Sequence, residues 1–287
     1  MRVTFAGAEL DRLDDNGLDQ GGVRPGVRCR RTGAIRSGPA AGGVHGLLAA
    51  RQGLGVGRAR LAAVTLLFVH SPLVGPSTWH PVARLLAERG VPGLTPSLSE
   101  ALAGGPPFFP RIASTIASEV PSAQAVVLVV HSGAGALVPV IASAVTVVGA
   151  VYVDAILPAP GRSWFDTAPP DLAAHVRGLA GADGLLPPWH TWFGPSAPDE
   201  LLPDPDARAA FVAEVPRLPL AYFSERTPAS GPALPWSAYV QLSSAYDDEA
   251  ATATREGWPL VRLDADHLAP VTRPALVADA LESLPLP

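Results

Sequence analysis

The residues best placed to do chemistry lie in an uncharged stretch from Ala125 to Val153. Within it, Val129-Val-His-Ser-Gly-Ala-Gly135 joins an apolar run, Ala125–Val130, to a second apolar segment, Ala136–Ala142. A strand that stops at a Ser among small residues and restarts as a helix describes a nucleophile elbow. The residue types follow from that geometry. Ser132 must stand at the tip of a strained turn, hydroxyl exposed, with its backbone in a sparsely populated φ/ψ region. Only small neighbours let strand and helix approach so closely, and Gly133, Ala134 and Gly135 are small. Val130 occupies the place of the first Gly in G-x-S-x-G, so the motif is incomplete. The same letters also fit a buried strand whose Ser132 merely caps a helix. A membrane-spanning helix fits them worse, because Gly133, Gly135, Pro139, Gly149 and the polar pair His131-Ser132 interrupt the run.

The elements needed to position such a serine recur along the chain. Val64–Val69 reads as a buried strand leading into His70-Ser-Pro-Leu-Val-Gly-Pro-Ser-Thr-Trp79. Pro259–Asp264 reads as another strand, followed by Ala265-Asp-His-Leu-Ala269. Periodicity predicts strands near 63–69, 91–95, 125–130, 149–154, 238–242 and 259–263. It predicts helices near 80–89, 111–119, 133–143, 248–256 and 273–284. Strand and helix alternate, which implies a mostly parallel sheet with crossover helices.

On these segments the chain from about residue 62 to 285 resembles the α/β-hydrolase superfamily, particularly its small single-domain members with a helical lid. The resemblance rests on His70-Ser71 with Trp79, His131-Ser-Gly-Ala-Gly135, Val151-Tyr-Val-Asp-Ala-Ile-Leu-Pro158 and Asp266-His-Leu268. It implies an α/β fold of that type with the order nucleophile, acid, His. It also implies that the Pro-rich, aromatic stretch of about 159–235 is a lid insertion whose Trp189, His190 and Trp192, together with Ser71 after the first strand, could reach a substrate. Those aromatics serve equally well as glue between lid helices and sheet.

The resemblance makes Ser132 the nucleophile and His267 the base that takes its proton and returns it to the leaving group. His70 is then structural, and His131 points away from the serine. For the acid, Tyr239-Val-Gln-Leu-Ser-Ser-Ala-Tyr-Asp247 resembles the strand and loop that end in the catalytic Asp. Asp247 is the expectation, although it also suits a helix N-terminus. Asp154 at the end of the preceding strand is the alternative, and Asp248 a third.

An oxyanion hole needs two backbone N–H donors. Gly133 supplies one. The other belongs to the second residue after His70, and Pro72 there has no N–H. Leu73 is therefore expected to donate through a shifted loop, unless Ser71 donates from its backbone or its hydroxyl, or the reaction forms no oxyanion. Three functions stay open. One is a serine hydrolase of an ester, thioester or amide of a small apolar molecule. The second is a non-hydrolytic lyase, cyclase or isomerase, and the third an inactive ligand-binding member.

Composition sets the remaining bounds. With 287 residues, 48% hydrophobic, the chain can bury one substantial core. Cys29 is the single cysteine, so no intrachain disulfide can form, and a cytoplasmic location is expected. All 21 basic residues are Arg. The net charge of −5 gives no reason to expect nucleic acid as a partner. No sequence pattern points to a cofactor or metal, and the oligomeric state is not legible. The first 60 residues hold ten Arg against five acids, and the rest eleven Arg against 21 acids. Residues 1–61 therefore read as a disordered or non-native N-terminal extension, and 62–287 as the catalytic domain. Acids and glycines occupy the place of the apolar core of a secretory signal.

Overall fold

The computed structural model describes residues 3–5, 8–10, 65–192 and 202–287. Two three-residue strands, β1 (Val3–Phe5) and β2 (Ala8–Leu10), pair antiparallel, an element the sequence pattern did not suggest. Most of the expected N-terminal extension lies outside the described residues.

The main sheet contains β3 (Thr65–Val69), β4 (Gly93–Leu94), β5 (Val126–Ser132), β6 (Val147–Ala155), β7 (Ser237–Gln241) and β8 (Leu260–Arg262). Their order is β4-β3-β5-β6-β7-β8, and every pairing is parallel. Each strand falls on a segment expected from β-branched, apolar composition. The seven residues of β5 are all buried. A central strand covered on both faces has no solvent side and so reads as an unbroken apolar run.

Alternation along the strands divides the core between the two faces. Leu67, Val69, Leu128 and Val130 join one cluster, with Ile112 and Ile116 of α2 (Phe108–Glu119) and Ile141 of α3 (Val138–Ala144). Leu66, Phe68, Val127 and Val129 join the other. That face is covered by α1 (His80–Glu88), through Val82 and Leu86, and by the C-terminal helix Pro274–Ser283, through Val277 and Leu281. Between β6 and β7 the described insertion adds α4 (Pro170–Leu179), α5 (Pro205–Glu214) and short helical turns. After β7 comes α6 (Asp247–Arg255), and Pro274–Ser283 is α7. Among the described residues no helix is long and apolar enough to cross a membrane.

The strand order puts a topological switch between β3 and β5. The chain leaves β3 outward to β4, then returns to the other side as β5. Open α/β sheets bind ligands at the carboxyl ends of such strands. Here those ends carry Ser71 and Ser132.

Candidate active site

Ser132 ends β5 with φ 57° and ψ −126°, a strained conformation for a residue with a Cβ. Holding it costs about 1–3 kcal/mol, which the surrounding packing must supply. The register of β5 on β6 shifts between His131 and Ser132, so the strand breaks its ladder where the serine turns out. A tight helical turn, Gly133–Leu137, then leads into α3. The small residues are required by contact. A Cβ on Gly135 would stand 1.8 Å from the Ile156 carbonyl oxygen, and one on Gly133 would stand 3.2 Å from Ser71 Oγ. Val130, in place of the motif's first Gly, is fully buried in the same cluster as Leu137 and Val138.

His267 lies in the loop after β8 and is 3% exposed. Asp266 shapes that loop by accepting from the Leu268 N–H (2.9 Å) and the Thr272 hydroxyl (2.9 Å). The His267 Nδ1 donates to Asp154 Oδ2 at 2.8 Å, not to Asp247. Asp154 is wholly buried at the end of β6, with φ 43°. It also accepts from the Leu242 N–H (2.8 Å), the Ser243 N–H (3.1 Å) and the Ser243 hydroxyl (2.7 Å). Burial alone would raise its pKa. Hydrogen bonds from His267, Ser243 and Leu242 outweigh that and hold the carboxyl below the usual carboxylate range. The next residue is pinned by Tyr239, whose hydroxyl accepts from the Ala155 N–H (3.0 Å) and donates to the Ala155 carbonyl (2.8 Å).

The expectation of Asp247 as acid is therefore corrected. Asp247 opens α6, and its carboxylate accepts from the Gln241 side-chain amide at 2.5 Å. It is a helix-start residue on a neighbouring loop, and Asp154 has the geometry of the acid.

Two histidines have structural roles. The His70 Nε2 accepts from the Leu98 N–H (3.1 Å), so Nδ1 carries the proton and donates to the Ser71 carbonyl (2.8 Å). Burial pushes its pKa down to about 4. The His131 Nε2 donates to the His267 carbonyl at 2.9 Å, and the two rings lie 4.5 Å apart. Burial and the neighbouring His267 push His131 down to about 3, so it stays neutral. As expected, His131 does not address the serine. It anchors the backbone of His267 instead, a role nothing in its sequence context signals.

Tyr246 is the residue sequence reasoning missed. Its hydroxyl lies 3.3 Å from Ser132 Oγ, and its ring stacks on the His267 imidazole at 5.2 Å and 7°. Among the described residues Ser132 Oγ is hydrogen-bonded to Tyr246 and not to His267. The phenol is buried, which raises its pKa and keeps it protonated.

Ser132 and Tyr246 open into a cavity of about 380 Å³. Ser71, Gly133, Phe109, Trp164, Tyr222 and Phe223 contribute to its walls, so residues of the insertion after β6 share the cavity with Ser132. Trp189, His190 and Trp192 do not line it, which corrects that expectation. Trp189 packs edge-on against Phe211, and the Trp192 indole N–H donates to the Pro187 carbonyl at 2.8 Å. Both tryptophans therefore pack within the insertion, tying its helices and turns to one another. Leu73 lines the cavity, but its N–H donates to Ser71 Oγ at 3.4 Å and is not free for an oxyanion. A larger groove, about 620 Å³, runs along Tyr152, Trp236 and Trp258 and holds none of these polar groups.

Residues 66–280 match the alpha/beta hydrolase family, and the chain belongs to it. No curated protein matches the sequence. Among solved structures, an extracellular alpha/beta-hydrolase from a Paenibacillus species superposes with a TM-score of 0.62 at 17% identity, over 77% of this chain and 99% of that one. A pyrethroid hydrolase from Sphingobium faniae JZ-2 superposes at 0.56 with 19% identity, over 76% and 95%. Polyneuridine aldehyde esterase does so at 0.56 with 15% identity, over 76% and 97%. At these identities the likeness is one of fold.

Proposed function

We propose that this protein is a serine hydrolase cleaving an ester, thioester or amide of a small, largely apolar molecule. The observation that carries the reading is the strained Ser132 at the floor of an aromatic-walled cavity, with the buried His267–Asp154 pair beside it. The Ser132 hydroxyl turns from Tyr246 to His267, whose Nε2 takes its proton as Oγ bonds to the substrate carbonyl carbon. Asp154 holds the Nδ1–H tautomer and stabilises the imidazolium. Collapse of the tetrahedral intermediate breaks the bond to the leaving group, which takes the proton from Nε2. Water, deprotonated by the same imidazole, then releases the acid and free Ser132.

The esterase and pyrethroid hydrolase among the structural neighbours support hydrolytic chemistry by analogy of fold. A non-hydrolytic reaction at the same residues is the second reading, favoured by Pro72, which removes an N–H donor.

The test uses p-nitrophenyl esters of short acyl chains, with intact mass to detect acyl-Ser132. Turnover and acylation that vanish in both Ser132→Ala and His267→Ala support hydrolysis. A protein that neither turns over these esters nor is labelled by a fluorophosphonate is not a serine hydrolase.

A further inference from the structure

We infer that the Ser71 hydroxyl is the second oxyanion donor, standing in for the N–H that Pro72 lacks; this rests on the hydrolytic reading above. Four observations converge on it. The Leu73 N–H, the nearest backbone substitute, is directed to Ser71 Oγ at 3.4 Å. Having accepted that bond, the Ser71 oxygen keeps its own proton to donate, and no hydrogen bond donated by that hydroxyl is seen among the described residues. Ser71 is 2% exposed and lines the cavity together with Ser132 and Gly133. Its Oγ lies 3.2 Å from where a Gly133 Cβ would stand, on the side of Gly133 that faces the β3 loop.

The loop is built to hold that hydroxyl still. The Ser71 carbonyl accepts from the buried His70 Nδ1–H (2.8 Å) and from the Val74 N–H (3.1 Å). His70 is fastened in turn by the Leu98 N–H at 3.1 Å. A donor fixed before the reaction needs no reorganisation when negative charge develops, which is the condition for electrostatic stabilisation of an oxyanion. The hole then consists of one backbone donor, the Gly133 N–H, and one side-chain donor, the Ser71 O–H. Leu73 orients the second through its own N–H.

The experiment compares Ser71→Ala, Ser71→Thr and Ser132→Ala in the full chain. It measures p-nitrophenyl acetate turnover, phenylboronic acid affinity and melting temperature. Ser71→Ala should lower kcat about 10²-fold with KM changed little, as for loss of a donor elsewhere. It should weaken phenylboronic acid, whose adduct on Ser132 is tetrahedral, by a similar factor. Ser71→Thr, which keeps the hydroxyl, should recover at least a tenth of the rate. If the alanine variant does not fold, Ser71→Cys, close in size but a weak donor, should show the same loss.

If Ser71→Ala, or the cysteine variant in its place, turns over at the wild-type rate while Ser132→Ala is dead, the Ser71 donor is overturned and the nucleophile stands. An equal loss in the threonine variant at unchanged melting temperature also overturns it, since the hydroxyl then has no part. Full activity in Ser132→Ala overturns both readings.

Discussion

Tyr246 touches His267 and Ser132 at once: its ring lies flat on the His267 imidazole, 7° from parallel, and its hydroxyl is 3.3 Å from Ser132 Oγ. The stack fixes the plane in which the His267 ring can turn. On the hydrolytic reading proposed above, the Ser132–Tyr246 hydrogen bond must be exchanged before Ser132 can pass its proton to His267.

Tyr246→Phe keeps the stack and removes the competing partner. A net hydrogen bond is worth about 0.5–1.5 kcal/mol, so fluorophosphonate labelling of Ser132 should quicken, by up to about tenfold. Tyr246→Ala removes the stack as well and should slow labelling, with a stability loss of about 3–5 kcal/mol. A phenylalanine variant that no longer labels would show that the phenol itself is needed for chemistry.

Asp154→Asn should lower kcat about 10³–10⁴-fold, because the amide cannot hold the Nδ1–H tautomer or balance the imidazolium. Asp247→Asn, at the start of α6, should stay within about threefold of wild type. The reverse pattern would restore Asp247 as the acid.

Acid should destabilise the fold before its carboxylates titrate. His70 and His131 have folded pKa values of about 4 and about 3, against 6.5 when unfolded. Between those limits the unfolded chain binds protons that the native state does not. Stability is therefore present above about pH 6.5 and is lost as pH falls, with a limiting slope near 1.4 kcal/mol per pH unit for each imidazole. Asp154, held low in the fold, adds a loss of the same sign below its unfolded pKa. Urea unfolding at pH 7 and at pH 4.5 should show the difference, and His131→Asn should flatten it. Equal stability at both values would mean these rings are not buried neutral.

Gly135→Ala would put a Cβ 1.8 Å from the Ile156 carbonyl oxygen, where backbone cannot yield easily. A loss of about 3 kcal/mol or more is expected, together with loss of Ser132 labelling. Gly133→Ala meets the Ser71 hydroxyl at 3.2 Å and Pro72 Cδ at an ordinary 3.7 Å, and should be milder in stability yet impair turnover. Denaturant midpoints and labelling rates of the two variants check the contrast.

Features whose cause is local can be read from the residues alone. The central strands of the main sheet are legible because burial on both faces forces continuous apolar runs. The elbow is legible because a strand-to-helix turn at Ser132 excludes side chains at Gly133 and Gly135. His267 is legible from its place after the last strand. Which aspartate pairs with His267 was not legible, because either Asp154 or Asp247 ends a strand or its loop and each has a plausible local role. Only the packing of β6 beside β7 brings the Leu242 and Ser243 donors onto Asp154 and aims its second oxygen at His267. Tyr246 escaped for the same reason: its function is its distance from two residues more than twenty and one hundred positions away. Trp189 and Trp192 are indistinguishable in sequence from the Trp164 that lines the cavity. Which face of the insertion meets the sheet, and which meets the cavity, is settled by three-dimensional packing alone.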